Sequence, residues 1–437
     1  MTDTRPYDAS PDDSGMALRL PKVVLPQSAS SPVPSYVLPW RPIIINALVA
    51  WVVTRVAYII LTAVANHLPP QRPTVGSGFF AVWQRWDTNW YIGIATQGYH
   101  SPPQIAFFPV YPALMRVASV LLGGHMLLAG LVVANLGALG ALIGMGALAA
   151  WETRDARAAA FTMVAVLIYP FSFYLTAAYT EGLFLAFTAF SFLFARQGRW
   201  RLAAIMALLA GATRPTGAAL APALAWEWLR QQGLLEPQQW RAALRTGRAQ
   251  FARDWLRRLI AACRNSWAGV LAVAAVPAFM VGMTLFIWVR FHHPSLIVNV
   301  RRDYWGLVSA PIWKTLFDEV ANTIRGPFGS VFQITMALDL LSLAAGAYVV
   351  LTRWRRTPFA YTLYMIGLLY LCVAERTSGG IQVLQGPGRY LVGAVPMLLA
   401  LGDLLERRPR LAVALMCVGL AVQCYIALQF LTGIGIE

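Results

Sequence analysis

Long apolar runs alternate with short basic segments along this chain of 437 residues. An apolar run of about 20 residues is long enough for an α-helix to cross the hydrocarbon core of a bilayer. Residues 158–195 fit two such spans, broken near residues 177–182. Residues 202–229 are too long for one span and too short for two, so the break at residues 213–217 predicts two short helices meeting at a polar kink. Single spans are predicted near residues 42–65, 126–150, 267–289, 331–351, 358–374, 390–405 and 411–431.

The composition is that of a polytopic membrane protein. Hydrophobic residues make up 58% and charged residues 12% of the chain, whereas a soluble domain carries about 25% charged residues. The predicted fold is therefore an all-α polytopic membrane protein, a bundle of about 11 transmembrane helices.

The formal net charge of +16 comes largely from arginines that cluster between the apolar runs. Basic residues beside membrane spans mark cytoplasmic loops, which places the amino terminus inside and the carboxyl terminus outside. Because the charge follows this topology, it does not indicate a nucleic-acid partner. The four cysteines form no CxxC pair and are interpreted as unpaired thiols in apolar surroundings.

Polar segments divide the chain further. Residues 1–40 are polar and interrupted by prolines, which predicts a disordered cytoplasmic tail, and residues 41–437 form the transmembrane domain. A first outer loop occupies residues 66–125, and its run 106–122 predicts a helix lying along the membrane interface. The other large connections are a basic cytoplasmic loop at residues 230–266, a second outer loop at residues 291–330 and a third at residues 375–389.

The sequence predicts neither a metal site nor a bound cofactor. Its histidine cluster, His292-His293-Pro294, has no HExxH pattern and no facing carboxylate. No GxGxxG or GxxxxGKS/T pattern for nucleotide phosphates occurs.

Asp87 is the acid whose position most needs explanation. It lies in the first outer loop among aromatic and amide side chains, in a chain with only 19 aspartates and glutamates. An ordinary aspartate is ionised at neutral pH, so Asp87 is suited to accept a proton from a hydroxyl nucleophile. In the alternative interpretation the aromatic residues form an interfacial belt and Asp87 caps a helix.

On the predicted topology several further polar residues share the outer face with Asp87. Glu181 is a second acid, which either orients an acceptor or marks the turn between two spans. Arginine binds phosphate bidentately, so arginines here suit a reaction with a phosphate leaving group. Arg301 and Arg302 have the alternative of being a plain surface pair. The candidate phosphate-binding residues are Arg214, Arg301, Arg302 and Arg389.

Three stretches of the chain resemble the PIG-V family of membrane mannosyltransferases, within the wider GT-C class and including prokaryotic members. They are Arg85-Trp86-Asp87 with Gly98-Tyr99 and residues 106–112, then residues 169–184, then residues 213–217. The resemblance covers most of residues 42–230, and Gly388-Arg389-Tyr390 is a shorter match beyond it.

This resemblance implies a GT-C-type bundle with large outer loops that carry interfacial helices. It implies a polyprenyl- or dolichyl-phosphate mannose donor in place of a nucleotide sugar, with transfer on the outer or lumenal face. Asp87 would be the general base. The predicted site has Asp87 and Glu181 as catalytic residues, no metal, and a substrate-binding set of Arg85, Arg214, Arg301, Arg302, Arg389 and Tyr390.

The predicted function is a membrane glycosyltransferase that moves mannose from a polyprenyl-phosphate donor to a hydroxyl of a lipid or cell-envelope glycan. The lipid-phosphate sugar is a co-substrate, and a partner subunit stays an open question. The expected location is the bacterial plasma membrane, or the endoplasmic reticulum membrane in a eukaryote. A transporter or flippase of lipid-linked sugars would have similar spans and broken helices, and an inactive scaffold subunit would keep the same fold.

Overall fold

The computed structural model describes residues 36–236, 248–293, 295–379 and 382–435. Most of the tail predicted at residues 1–40, the centre of the basic loop predicted at residues 230–266, and Pro294 lie outside the described residues.

The first half of the chain contains long helices separated by short ones. They are α1 (Trp40–His67), α2 (Asp87–Gln97), α3 (Val110–Leu121), α4 (Met126–Thr153), α5 (Ala156–Ile168), α6 (Glu181–Arg196), α7 (Trp200–Gly211) and α8 (Leu220–Gln231). The predicted interfacial helix corresponds to α3. The predicted polar kink is confirmed, because α7 and α8 are joined by a break and a 3₁₀ turn at Pro215–Ala219.

The second half continues with helices and one small sheet. The elements are α9 (Arg248–Asn265), α10 (Trp267–Phe291), α11 (Leu296–Asn299), β1 (Leu307–Ser309), α12 (Ile312–Arg325), α13 (Val331–Arg353), α14 (Phe359–Val373), β2 (Glu375–Thr377), α15 (Pro387–Tyr390), α16 (Val395–Arg407) and α17 (Pro409–Thr432).

Five helices in the described part of the chain are long and apolar enough to cross a membrane, namely α1, α4, α10, α13 and α17. A sixth candidate is the bent pair Pro387–Gly393 and Val395–Arg407, whose two parts meet at 80°. The predicted polytopic helical fold is confirmed, and the count of about 11 spans, which needs pairs of shorter helices, stays a prediction.

Apolar side chains on the long helices face outward. Val53 of α1, Val289 of α10 and Leu351 of α13 are all exposed in the isolated chain. Large exposed apolar surfaces are unfavourable in water and mark contact with another apolar phase. These faces are therefore the ones that the lipid covers.

The helices α4 and α6 approach each other closely through glycines. A Cβ atom on Gly182 would lie 2.7 Å from the backbone nitrogen of Ala138, closer than real Cβ atoms approach. Small residues allow this kind of packing between membrane helices. The contact fixes the first turn of α6, where Glu181 lies.

A two-stranded antiparallel sheet joins the two segments predicted as the second and third outer loops. Leu307 pairs with Thr377 and Ser309 with Glu375. These two short strands are an addition to the helical fold, and a pairing between segments so far apart in sequence leaves no local pattern.

Candidate active site

A cavity of about 380 Å³ opens where the helix breaks and the connecting segments meet. Its wall includes the start of α2, the residue before α6, the break between α7 and α8, and the segment leading into α15. Asp87, Arg214, Arg301, Arg389 and Tyr390 all line it. Five of the eight residues predicted for the site therefore share one cavity.

Asp87 is the first residue of α2, and the backbone just before it is unusual. Trp86 has φ 45° and ψ −118°, in a region that residues other than glycine rarely adopt. Such strain persists only when the surroundings enforce it, and it clusters at functional sites. The turn directs the Asp87 carboxylate toward the cavity, where its side chain is 17% exposed. The amino-terminal end of α2 also favours a negative charge at this position.

Arg85 lies behind this turn and not on the cavity wall, so the structure gives no support to its predicted substrate-binding role. Its guanidinium group donates to the backbone oxygens of Arg72 and Pro73, both at 3.0 Å, and of Leu431 at 2.9 Å. These bonds tie the loop before α2 to the end of α17. Arg85 therefore supports the conformation that presents Asp87.

Arg389 joins the two predicted acids. Its Nη2 donates to Asp87 Oδ2 at 2.7 Å and its Nε donates to Glu181 Oε1 at 2.5 Å. The guanidinium carbon also lies 4.4 Å from the ring centroid of Tyr179, a cation–π contact. The neighbouring Gly388 must be glycine, because a Cβ there would lie 2.0 Å from the ring of Phe171.

Arg214 lies at the break between α7 and α8 and also contacts the carboxylate of Glu181. Its Nη1 donates to Thr180 Oγ1 at 3.1 Å and forms a salt bridge with Glu181. The extended backbone of Arg214 (φ −148°, ψ 146°) is the conformation that a following proline imposes. Tyr390 lies beneath the guanidinium, 5.0 Å from ring centroid to guanidinium carbon.

Glu181 has a different place from the one predicted for it. Its side chain is only 2% exposed and is held between Arg214 and Arg389, and it does not line the cavity. The structure therefore gives no direct contact through which Glu181 would orient an acceptor, the role predicted for it. Glu181 is a positioning residue for two arginines, and the ion pairs offset much of the cost of burying its charge.

The two neighbouring arginines of the second predicted outer loop separate into different roles. Arg301 lines the cavity and forms a salt bridge with Glu375. Arg302 bonds Asp303 at 2.6 Å through side chains that are both more than half exposed, and this guanidinium lowers the pKa of the Asp303 carboxyl. Arg302 is a surface residue and does not line the cavity, so the structure gives no support to its predicted substrate-binding role.

The charges around the cavity are arranged by depth. Three guanidinium groups and one carboxylate line the wall, while Glu181 and Glu375 pair with those arginines and do not line it. The wall is therefore cationic toward the cavity although the whole cluster is balanced. Such a surface suits an anionic group with several oxygens, such as a phosphate.

Sequence reasoning missed a group of aromatic residues that also line the cavity. Phe107 and Trp305 line it, with ring centroids 5.8 Å apart, and Tyr91 packs edge-on against Phe107 at 5.2 Å. The density of aromatic residues in the first loop was the available signal. Their convergence with Trp305, about two hundred positions away in the chain, was not visible.

Within the described ranges, no group of three or more His, Cys, Asp and Glu side chains is placed to hold a metal ion. The histidines His292 and His293 do not line the cavity.

No protein-family profile matches the sequence, and no curated protein matches it in a sequence search. Several solved structures resemble the fold. ArnT from Cupriavidus metallidurans, bound to undecaprenyl phosphate, shares 18% identity over 85% of this chain and 63% of its own, with a TM-score of 0.47. The oligosaccharyltransferase of Archaeoglobus fulgidus shares 13% identity over 89% of this chain and 53% of its own, with a TM-score of 0.42.

The chain thus spans less than two thirds of the length of either protein. At scores and identities this low, neither likeness by itself assigns an activity to this chain.

Proposed function

We propose that this protein is a GT-C-type membrane glycosyltransferase that transfers a sugar, mannose by its motif resemblance, from a polyprenyl-phosphate donor. The acceptor is a hydroxyl of a lipid or cell-envelope glycan on the extracytoplasmic face of a bacterial plasma membrane. The observation that carries the proposal is the cavity in which Asp87 and three arginines meet.

In the proposed step the acceptor hydroxyl attacks the anomeric carbon of the donor sugar. The new carbon–oxygen bond forms as the bond from that carbon to the phosphate oxygen breaks, and the polyprenyl phosphate leaves with the electron pair. Asp87 takes the hydroxyl proton, as a general base does. Arg214, Arg301 and Arg389 contact the phosphate, where guanidinium groups stabilise the charge that develops on the leaving group.

The aromatic residues of the cavity support a sugar or isoprenoid substrate. The rings of Phe107 and Trp305 add flat apolar surfaces to a wall that also carries charged groups. A sugar has apolar C–H faces and polar edges, so a cavity lined by both aromatic and charged groups can contact both.

A carrier of lipid-linked sugars is the rival function. Transporters of that kind bind substrate at broken helices near the middle of the membrane. Here Asp87 begins a helix of 11 residues in the segment between α1 and α4, apart from the long apolar helices. That placement favours a transferase, and the presence of the acid itself speaks against an inactive scaffold.

A transfer assay with purified protein in lipid vesicles separates these functions. Polyprenyl-phosphate mannose carrying a radioactive sugar would be supplied with a lipid extract as acceptor, beside a parallel sample with a labelled nucleotide sugar. We expect label in a new glycolipid or glycan from the lipid donor alone. Transfer from the nucleotide sugar alone would overturn the donor assignment, and movement of intact donor across the bilayer without transfer would establish the carrier.

A further inference from the structure

The segment that carries Arg389 to the cavity is held by two buried carboxylates that the proposed chemistry does not use. Residues 382–388, here called the arginine loop, precede Arg389 and contribute Gln382, Leu384 and Gln385 to the cavity wall. The two carboxylates belong to different helices, Glu319 to α12 and Asp339 to α13.

Glu319 accepts two backbone bonds from the arginine loop. Its Oε2 accepts from the backbone nitrogens of Val383 at 2.8 Å and Leu384 at 3.1 Å. The residue is fully buried, and burial raises the pKa of its carboxyl group.

Asp339 accepts hydrogen bonds from the last and the first residue of the arginine loop. Its Oδ1 accepts from the backbone nitrogen of Gly388 at 2.7 Å, and its Oδ2 accepts from Gln382 Nε2 at 3.3 Å. Asp339 lies in the middle of a candidate span and is 1% exposed. An ionisable residue at that position in a span is costly and marks a functional requirement.

Neither carboxylate forms a salt bridge with Lys or Arg in the described part of the chain, unlike the acids of the cavity cluster. Burying an acid without a salt bridge is unfavourable, although Arg376 lies near enough to Glu319 to oppose the rise in its pKa. Three backbone N–H groups of an irregular segment nevertheless find their partners in these two side chains, and buried N–H groups require partners. The presence of these two buried acids is therefore explained by the backbone hydrogen bonds that they accept from the arginine loop.

We propose that Glu319 and Asp339 are positioning residues, which fix the arginine loop so that Arg389 contacts Asp87 and the leaving phosphate. This inference rests on the proposed transferase function. Because α12 also presents the exposed apolar residues Trp313, Phe317 and Ile324 on its opposite face, the same helix connects the apolar surface of the protein to the loop that bears Arg389.

Variants that remove the two carboxylates test the proposal through kinetics. Glu319→Ala and Asp339→Ala each remove an anchor, and a displacement of about 1 Å at a reacting group can lower the rate by roughly a hundredfold. We expect a fall in kcat of about tenfold or more with a smaller change in KM for the lipid donor. Asp303→Asn is the control, because Asp303 is an exposed acid that bonds Arg302 and does not line the cavity.

Conservative variants separate positioning from charge. Glu319→Gln and Asp339→Asn keep an amide oxygen that can accept the same backbone bonds. We expect both to retain kcat within a few-fold of the parent. Loss of activity in the amide variants equal to that in the alanine variants would contradict a positioning role.

A spectroscopic readout does not depend on the reaction. A nitroxide label at Gln385→Cys would report the mobility of the arginine loop, in a background carrying Cys263→Ser, Cys417→Ser and Cys424→Ser. We expect greater mobility with Glu319→Ala or Asp339→Ala and the parent spectrum with the amide variants. Unchanged spectra in the alanine variants would overturn the proposal, whereas absence of transfer in the parent with the expected spectra would overturn only the proposed function.

Discussion

Two clusters of arginines and acids lie at opposite ends of α6, and they differ in what surrounds them. At the start of the helix Glu181 pairs with Arg214 and Arg389 beside the cavity. At its end Arg196 pairs with Glu152 at 2.7 Å and with Glu227 at 3.0 Å. Both clusters are largely buried, so burial and pairing alone do not distinguish a site from a structural joint.

The second cluster, here called the Arg196 cluster, consists of Arg196, Glu152 and Glu227, which bond one another and neighbouring side chains. Tyr361 donates to Glu152 at 2.8 Å, and Gln231 donates to Glu227 at 2.8 Å. None of its members lines the cavity. At the Glu181 end, in contrast, the arginines extend past their acid to the cavity wall, and Arg389 reaches Asp87. Access to a cavity is therefore the feature that indicates chemistry.

Among the variants that test this difference between the two clusters, Arg389→Ala is expected to lower kcat the most. Arg389→Ala removes the group that contacts both acids and the proposed leaving phosphate, and loss of one such electrostatic contact typically lowers kcat on the order of 10²–10³-fold. The measurement is kcat for transfer from labelled lipid donor, taken on protein that elutes as a single folded species. A rate within a few-fold of the parent would show that the cluster at the start of α6 is structural as well.

A smaller effect is expected at Arg301, which lies on the wall but already pairs with Glu375. Arg301→Ala should raise the KM for the donor roughly tenfold, because bonds to charged groups contribute about 1.5–3 kcal/mol and part of this contact is shared. Arg302→Ala is the control, since Arg302 is exposed beside Asp303 and should leave both kinetic constants unchanged. Equal effects of the two variants would contradict the division of roles between these neighbours.

The smallest effect on transfer is expected from the Arg196 cluster. Arg196→Ala leaves Glu152 without its cation and Glu227 with Arg230 alone, and removing one partner of a buried ion pair costs about 3–5 kcal/mol. The expected result is a lower midpoint of thermal unfolding in detergent, with kcat per folded molecule close to the parent value. A large fall in kcat of the folded fraction would remove the distinction between the two ends of α6.

Much of the framework was predictable from sequence because membrane spans have a length that composition reveals. The predicted span at residues 267–289 corresponds to α10 (Trp267–Phe291), and the break at residues 213–217 lies where α7 gives way to α8. Proline and polar residues inside an apolar run are local signals. The same local signals, at the break in residues 213–217, singled out Arg214 as a candidate site residue.

The partners of the arginines were not predictable. Arg85, one of the motif residues near Asp87, donates to an oxygen of Leu431 at the other end of the chain, and no local pattern records that bond. Asp339 was missed although an acid in the middle of an apolar run is itself a signal. Glu319 gave no such signal, because its helix is polar on one face and its two loop partners follow by more than sixty positions.

The measurement that tests the central claim most directly is the transfer rate of Asp87→Asn in membranes with labelled lipid-phosphate mannose. Asparagine keeps the size of the side chain and loses the ability to accept a proton, so kcat should fall by about 10²–10⁴-fold while donor binding persists. Asp303→Asn, an exposed acid outside the cavity, serves as the control and should retain the parent rate. Activity of Asp87→Asn within a few-fold of the parent would contradict the role of Asp87 as the general base.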